Sequence, residues 1–168
     1  MNAKLLIDGK EFDIEILDPK LQELLVPPKK KTGYERVELE EDYYFVDTGS
    51  EVISKHKYNT HEDDFLTVIG NCYSEHVVAE NNSRADKLMR QLRRFAVEHR
   101  KNDVNWKTNY ELFEIWYDYR ADSMTINEVW GERVLGTIPF DSEETAQLAI
   151  DTFHDELIWY FTEYKDSL

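Results

Sequence analysis

Val78, Asn81, Ala85, Leu88, Leu92, Phe95 and His99 recur at alternating steps of three and four residues. That interval stacks side chains on one face of an α-helix. Ser74, just upstream, is a side chain suited to capping the first turn. The spacing predicts a helix from Ser74 to about His99. Apolar on one side only, such a helix needs a partner surface to cover its stripe. The flanking segments supply one, because their apolar residues alternate as in half-buried strands. The expected fold class is α+β.

Residues 5–8 and 11–17 flank Asp8-Gly9, a pair whose tolerance of positive φ signals a hairpin turn. Asp18-Pro19 then reads as an N-cap with proline at the first helical position, opening a short helix through Leu25. Two prolines, a charge run and a glycine in residues 27–33 mark a linker. The expected organisation is an N-terminal hairpin, short helix and linker (1–33), a first sheet-plus-helix module (34–101) and a second (102–168). In the first module, strands over 43–47 and 51–57 turn at Thr48-Gly49-Ser50. A polar loop (59–64) and a third strand (65–69) ending at Gly70 precede the long helix. The second module repeats the order, with strands over 110–119, 124–130 and 134–140. Its helix opens on a capping box of Asp141 and Glu144 and buries Ala146, Ala149, Ile150, Phe153, Leu157 and Phe161. Gly70 to Ser74 occupies the place of Gly136 to Asp141, and Ala79 that of Ala146. Two readings remain open, an internal duplication or convergence of small α+β units on one order.

Charge sets the function class. The chain carries 35 acidic and 20 basic residues, a net of −15. Such a balance disfavours non-specific contact with nucleic acid or anionic membrane and suits a basic partner. The excess is uneven. Residues 1–60 hold 13 acidic and 9 basic side chains (−4), 61–100 hold 7 and 6 (−1), and 101–168 hold 15 and 5 (−10). No stretch approaches the roughly 18 apolar residues of a membrane span, and the first residues turn polar too soon for a secretory signal. A single cysteine, Cys72, fits a reducing compartment. The expected location is cytoplasmic. Asn81-Asn82-Ser83 is then a chance sequon, and His154-Asp155-Glu156-Leu157 is no retention signal away from a carboxyl terminus.

Within the acidic module, Glu144, Asp151 and Asp155 fall within about 40° of one another on a continuous helix, roughly 10 and 6 Å apart along its axis. That row approximates phosphates on a nucleic-acid strand. Glu114 and Asp118 lie on the expected polar side of a strand with Trp116 between them, and Trp130 has the same parity. Carboxylates beside exposed aromatics make a protein-docking surface. The alternative is a phosphate-binding stripe on the long helix, where Lys87, Arg90, Arg94 and Lys101 project within about 60° of each other. The overall negative charge favours the protein partner, and the same long helix offers a face for a homodimer.

Enzymatic motifs are missing. The six glycines are scattered singly, so no phosphate-cradling loop forms. Cys72 with His76, the run His61-Glu62-Asp63-Asp64, and His154-Asp155-Glu156 are the nearest approaches to a reactive or metal-binding cluster. The first is a lone thiol at a helix entrance. In the last, neighbouring side chains diverge by about 100°. The expectation is a non-enzyme without cofactor or metal.

The run Tyr43-Tyr44-Phe45-Val46-Asp47, Gly70-Asn71 before the helix, residues 88–98 and residues 155–161 together resemble a family of uncharacterised small acidic proteins of phages and prophages of Gram-positive bacteria. The likeness runs from about Asp42 to the end of the chain. It carries no catalytic residues. It implies a host-defence inhibitor in the bacterial cytoplasm, of the anti-CRISPR kind, which occupies a nucleic-acid-binding surface of a defence effector.

Overall fold

The computed structural model describes residues 2–7, 10–15, 32–35, 37–57, 60–101, 111–130 and 136–164. They are mixed helix and strand, and the chain divides between Lys31 and Thr32 into two compact units.

The first unit is the expected hairpin. β1 (Asn2–Ile7) pairs antiparallel with β2 (Lys10–Glu15), with Ile7 opposite Lys10, while the expected Asp8-Gly9 turn lies outside the described residues. Lys4 and Glu11 form an exposed ion pair across the strands at 2.8 Å. The expected short helix and residues 27–31 of the expected linker lie outside the described residues.

The second unit opens on an irregular segment seated against the long helix, then β3 (Asp42–Val46) and β4 (Val52–His56). Asp47 builds their turn: one carboxylate oxygen accepts from the backbone N–H of both Gly49 and Glu51 at 2.8 Å. The next segment departs from expectation. Residues 61–68 are not loop and strand but a helix, α1 (His61–Val68). Thr60 and Asp63 form a reciprocal capping box that satisfies amides at the helix start. Asp63 and Leu66, three apart, turn inward. The β-branched and aromatic run that suggested a strand is short, and the cap outweighs it.

α2 (His76–Glu98) is the long helix, and its inward residues are Ala79, Ser83, Ala85, Leu88, Leu92, Phe95 and Ala96. Its first half packs on the β3–β4 hairpin, where Ser83 donates to the Ser50 carbonyl at 2.8 Å. Its second half shares the main core with β5 (Glu111–Asp118), β6 (Ser123–Trp130) and the two C-terminal helices. Leu88, Leu92, Phe95, Phe140, Ala149, Ile150 and Leu157 belong to this main core. A smaller one gathers Val37, Tyr43 and Leu66.

Among the described residues neither sheet shows the third strand expected of it, and residues 134–135 of the second one lie outside them. Each is a two-stranded hairpin touched by one bridge: Tyr73 exchanges both backbone hydrogen bonds with Tyr44 at 2.9 Å, and Phe140 does so with Phe113 at 2.8 and 3.0 Å. In both places the bridge residue stands three positions before a helix, and the helix's fourth residue, Ala79 or Ala146, has no exposed surface. An alanine there lets the helix start close against the sheet.

The last helix is two. α3 (Glu143–Thr152) and α4 (His154–Thr162) break at Phe153, whose φ of −114° and ψ of 22° leave the helical range. The expected apolar stripe survives, since Phe153 and Phe161 both pack on the main core, but the axis does not continue. The cap also shifts by one residue. Ser142 accepts from the Thr145 amide at 3.1 Å, whereas Asp141 accepts from the Lys101 amide at 2.6 Å.

Candidate docking surface

Strand register decides which side chains of the acidic region share a surface. Glu111 lies opposite Trp130, Phe113 opposite Glu128, Ile115 opposite Ile126 and Tyr117 opposite Met124. Odd residues of β5 therefore share a face with even residues of β6. That face is the core side, because Phe113, Ile115, Met124 and Ile126 pack on the main core. Trp116, Asp118 and Glu114 point the other way, with Thr125, Ser123 and Asn127 across from them. Trp130 and Trp116, expected on one surface, stand on opposite faces of the hairpin. Equal parity on two antiparallel strands does not mean a common face; the pairing sum decides.

Both tryptophans are exposed, Trp116 at 51% and Trp130 at 56%. Asp118 is exposed too, but its carboxylate closes the β5–β6 turn by accepting from the Arg120 and Ala121 amides at 2.8 and 3.3 Å. Glu114 is a correction. It is only 4% exposed and offers no charge to a partner at the surface.

On α3, Glu144 and Asp151 lie seven residues apart, almost two turns, and project from the same outer side. Exposed Leu148 sits between them, and Gln147 donates to Asp151 at 2.9 Å. Neither carboxylate meets a Lys or Arg in an ion pair among the described residues. The Glu144 carboxyl is held below the usual range, first by its own backbone N–H and then by the Ser142 side chain. Asp155 is exposed beside His154, but it belongs to α4, so the break at Phe153 takes it out of the Glu144–Asp151 row. Residues 111–130 and 136–164 hold twelve carboxylates and one arginine, Arg120.

Two of the four side chains of the expected basic stripe meet neighbours: Arg94 pairs with Glu98 at 2.6 Å and Arg90 donates to the Ser50 hydroxyl at 2.8 Å. Lys101 lies past the end of α2, where Asp141 binds its backbone amide and not its ammonium. Lys87 is exposed. Arg84, beside the stripe, bonds Glu156 through two nitrogens at 2.8 and 3.2 Å and lies 3.9 Å from the centre of the Trp159 ring, tying α2 to α4.

Helical α1 exposes a patch that a strand reading hides. Phe65, Val68 and Ile69, at helical spacing, are all more than half exposed. A Thr-x-x-Asp pair ahead of them was the available signal.

His76 packs edge-on against the Tyr44 ring and lies 3.3 Å from Glu80, away from a shared centre with Cys72. Among the described residues no three His, Cys, Asp or Glu side chains converge on a metal position, and no helix is long and apolar enough to cross a membrane. No family model, no curated protein and no solved structure matches this chain.

Proposed function

We propose that this chain is a non-catalytic binding protein that docks its acidic C-terminal half on a basic, nucleic-acid-binding surface of another protein. The observation that carries the proposal is the outer row of α3: Glu144 and Asp151, exposed and in no ion pair with Lys or Arg among the described residues, though Lys101 helps to lower the Glu144 carboxyl, in a region of twelve described carboxylates to one arginine. Charges left unneutralised at a surface raise association rates with an opposite field and select against like-charged partners. Trp116 supplies an aromatic anchor on the outer face of β5, while Asp155 and Trp130 flank the row without continuing it. The phage resemblance narrows the partner to a host-defence nuclease whose nucleic-acid groove is the docking surface, which makes the protein an inhibitor of the anti-CRISPR kind acting in the bacterial cytoplasm. The matching bridge-and-alanine arrangement in the two halves supports an origin by tandem duplication.

The test is competition. A CRISPR effector nuclease from a Gram-positive host is mixed with its DNA and increasing amounts of the protein, and bound DNA is read by gel shift. The expected result is displacement of the DNA, weakened about tenfold or more by Glu144→Lys with Asp151→Lys. Undiminished displacement by that double variant removes the α3 row from the mechanism. Failure of the unmodified protein to displace DNA from such nucleases overturns the proposed partner class.

A further inference from the structure

Phe140 meets Phe113 through both backbone hydrogen bonds, and the pairing goes no further. Continued antiparallel for two residues, it would set Ile138 opposite Ile115. Among the described residues no backbone hydrogen bond joins those two. The segment that starts at Gly136, turned at a φ of +88°, stands off from β5 instead. Gly136, Thr137, Ile138 and Ile115 all line a cavity of about 160 Å³. Leu88 and Leu92 from α2, with Leu157, Tyr160 and Phe161 from α4, contribute further walls. Backbone groups alternate along a strand, so the Ile115 N–H and C=O point to the same edge as those of Phe113. That edge is the one the cavity borders. Ile115 thus offers one donor and one acceptor, side by side, to a space lined mainly by hydrocarbon and aromatic groups. Such groups are ordinarily met by a neighbouring strand or by water. A cavity of roughly this size accepts one six-membered ring.

We propose that this cavity is a binding site for a neutral one-ring lactam, whose N–H and C=O sit on adjacent ring atoms. The ligand N–H donates to the Ile115 carbonyl oxygen and its own oxygen accepts from the Ile115 N–H, while the ring lies against Leu88, Leu92 and Phe161. It takes the place that Ile138 would hold if the third strand ran on along β5. The chemistry agrees with the common form of ligand sites, a mainly apolar hollow with a few fixed polar groups that set orientation. Among the described residues no Lys or Arg lines the cavity, so an anion finds no counter-charge there. The site stands apart from the outer row of α3 and does not depend on the docking proposal.

One-ring probes separate the contributions. In 2-pyridone donor and acceptor are adjacent; in its isomer 4-pyridone they stand at opposite ends; N-methyl-2-pyridone lacks the donor, and benzene lacks both. Binding is followed on the full, unmodified chain by methyl NMR shifts of Leu88 and Leu157 and by the backbone amide of Ile115. The expected result is saturable binding of 2-pyridone, about fivefold or more tighter than of 4-pyridone or N-methyl-2-pyridone. At saturation the Ile115 amide proton moves downfield and exchanges more slowly with solvent. No variant has to fold for this test. No shift with 2-pyridone at millimolar concentration, or equal affinity for the two isomers, overturns the proposal. So does an Ile115 amide that stays unmoved at saturation. Binding of benzene without 2-pyridone overturns it as well, and leaves a plain apolar cavity.

Discussion

Asp63 joins a helix cap to a buried hydrogen bond. One of its oxygens accepts from the Tyr43 hydroxyl at 2.7 Å and lies 3.3 Å from the Lys55 ammonium, and the other accepts from the Thr60 amide at 2.8 Å. Burial alone would raise its pKa. The Thr60 amide, the Tyr43 hydroxyl and Lys55 outweigh that and hold the carboxyl well below its usual range. Burial, with the Asp63 carboxylate, pushes Tyr43 up to about 12. Asp63→Ala removes the reciprocal half of the capping box and strands a buried hydroxyl, so urea unfolding is expected to show a loss of about 2–4 kcal/mol. Asp63→Asn keeps an acceptor for Tyr43 and loses less. The sign of the pH dependence follows from the depressed value. The unfolded chain binds this proton more readily than the folded one, so the contribution is complete above the ordinary aspartate range and drains away as pH falls below it. Glu35 adds to the same trend. The Thr32 amide first, then the Ser74 hydroxyl, lower its carboxyl to about 2, so its share is lost as pH falls from the ordinary glutamate range toward that value. A stability gap between the parent and Asp63→Asn, or between the parent and Glu35→Gln, that fails to narrow as pH falls from 5 toward 3 contradicts the assignment at that residue.

Elements show how much the sequence disclosed and where it stopped. The two hairpins of the second unit, the long helix and the core positions Leu88, Leu92, Phe95, Ala149 and Leu157 follow from periodicity, which local chemistry and burial both enforce. What escaped was decided by competition between short signals. Phe65 to Ile69 looked like a strand, yet the Thr60–Asp63 box and the buried Tyr43 partner made it a helix. The break at Phe153 has no proline or glycine to announce it, so a row drawn through Glu144, Asp151 and Asp155 lost its third member. Parity placed Trp116 and Trp130 together because register, which sums positions across two strands, cannot be read from one strand alone. Glu114 looked exposed for the same reason: what covers a strand's second face is tertiary. Gly33 is a further case of distant packing. It sits at a φ of +84°, and a Cβ there would stand 2.3 Å from the Val78 Cγ2 atom on α2. Gly33→Ala is therefore expected to cost about 2–4 kcal/mol, part from the left-handed backbone and part from overpacking. Val78→Ala in the same chain relieves only some of the second part, since the Val78 Cβ, at 2.9 Å from the added atom, remains. Thermal unfolding of the single and double variants checks this, and a single variant as stable as the parent would mean that the segment does not seat on α2.

Across the whole molecule, a net charge of −15 acts on folding and on docking with opposite signs. Self-repulsion among carboxylates opposes compaction, and it is concentrated where twelve described carboxylates face one arginine. Raising salt from about 0.02 to about 0.5 M shortens the screening length from roughly 20 Å to a few ångströms. Repulsion between exposed carboxylates fades, while the exposed Arg94–Glu98 pair, worth little in water, loses little. The thermal midpoint is expected to rise by a few degrees. Docking on a basic groove moves the other way, because the same screening weakens attraction between the outer row of α3 and its partner. Calorimetry and the DNA-competition assay over one salt series thus separate two explanations of any lost binding. If affinity falls while the midpoint climbs, the weakened contact is electrostatic and the fold is intact. If both fall together, the carboxylates are tied into ion pairs that hold the molecule together, and an anionic docking face is the wrong account of this surface.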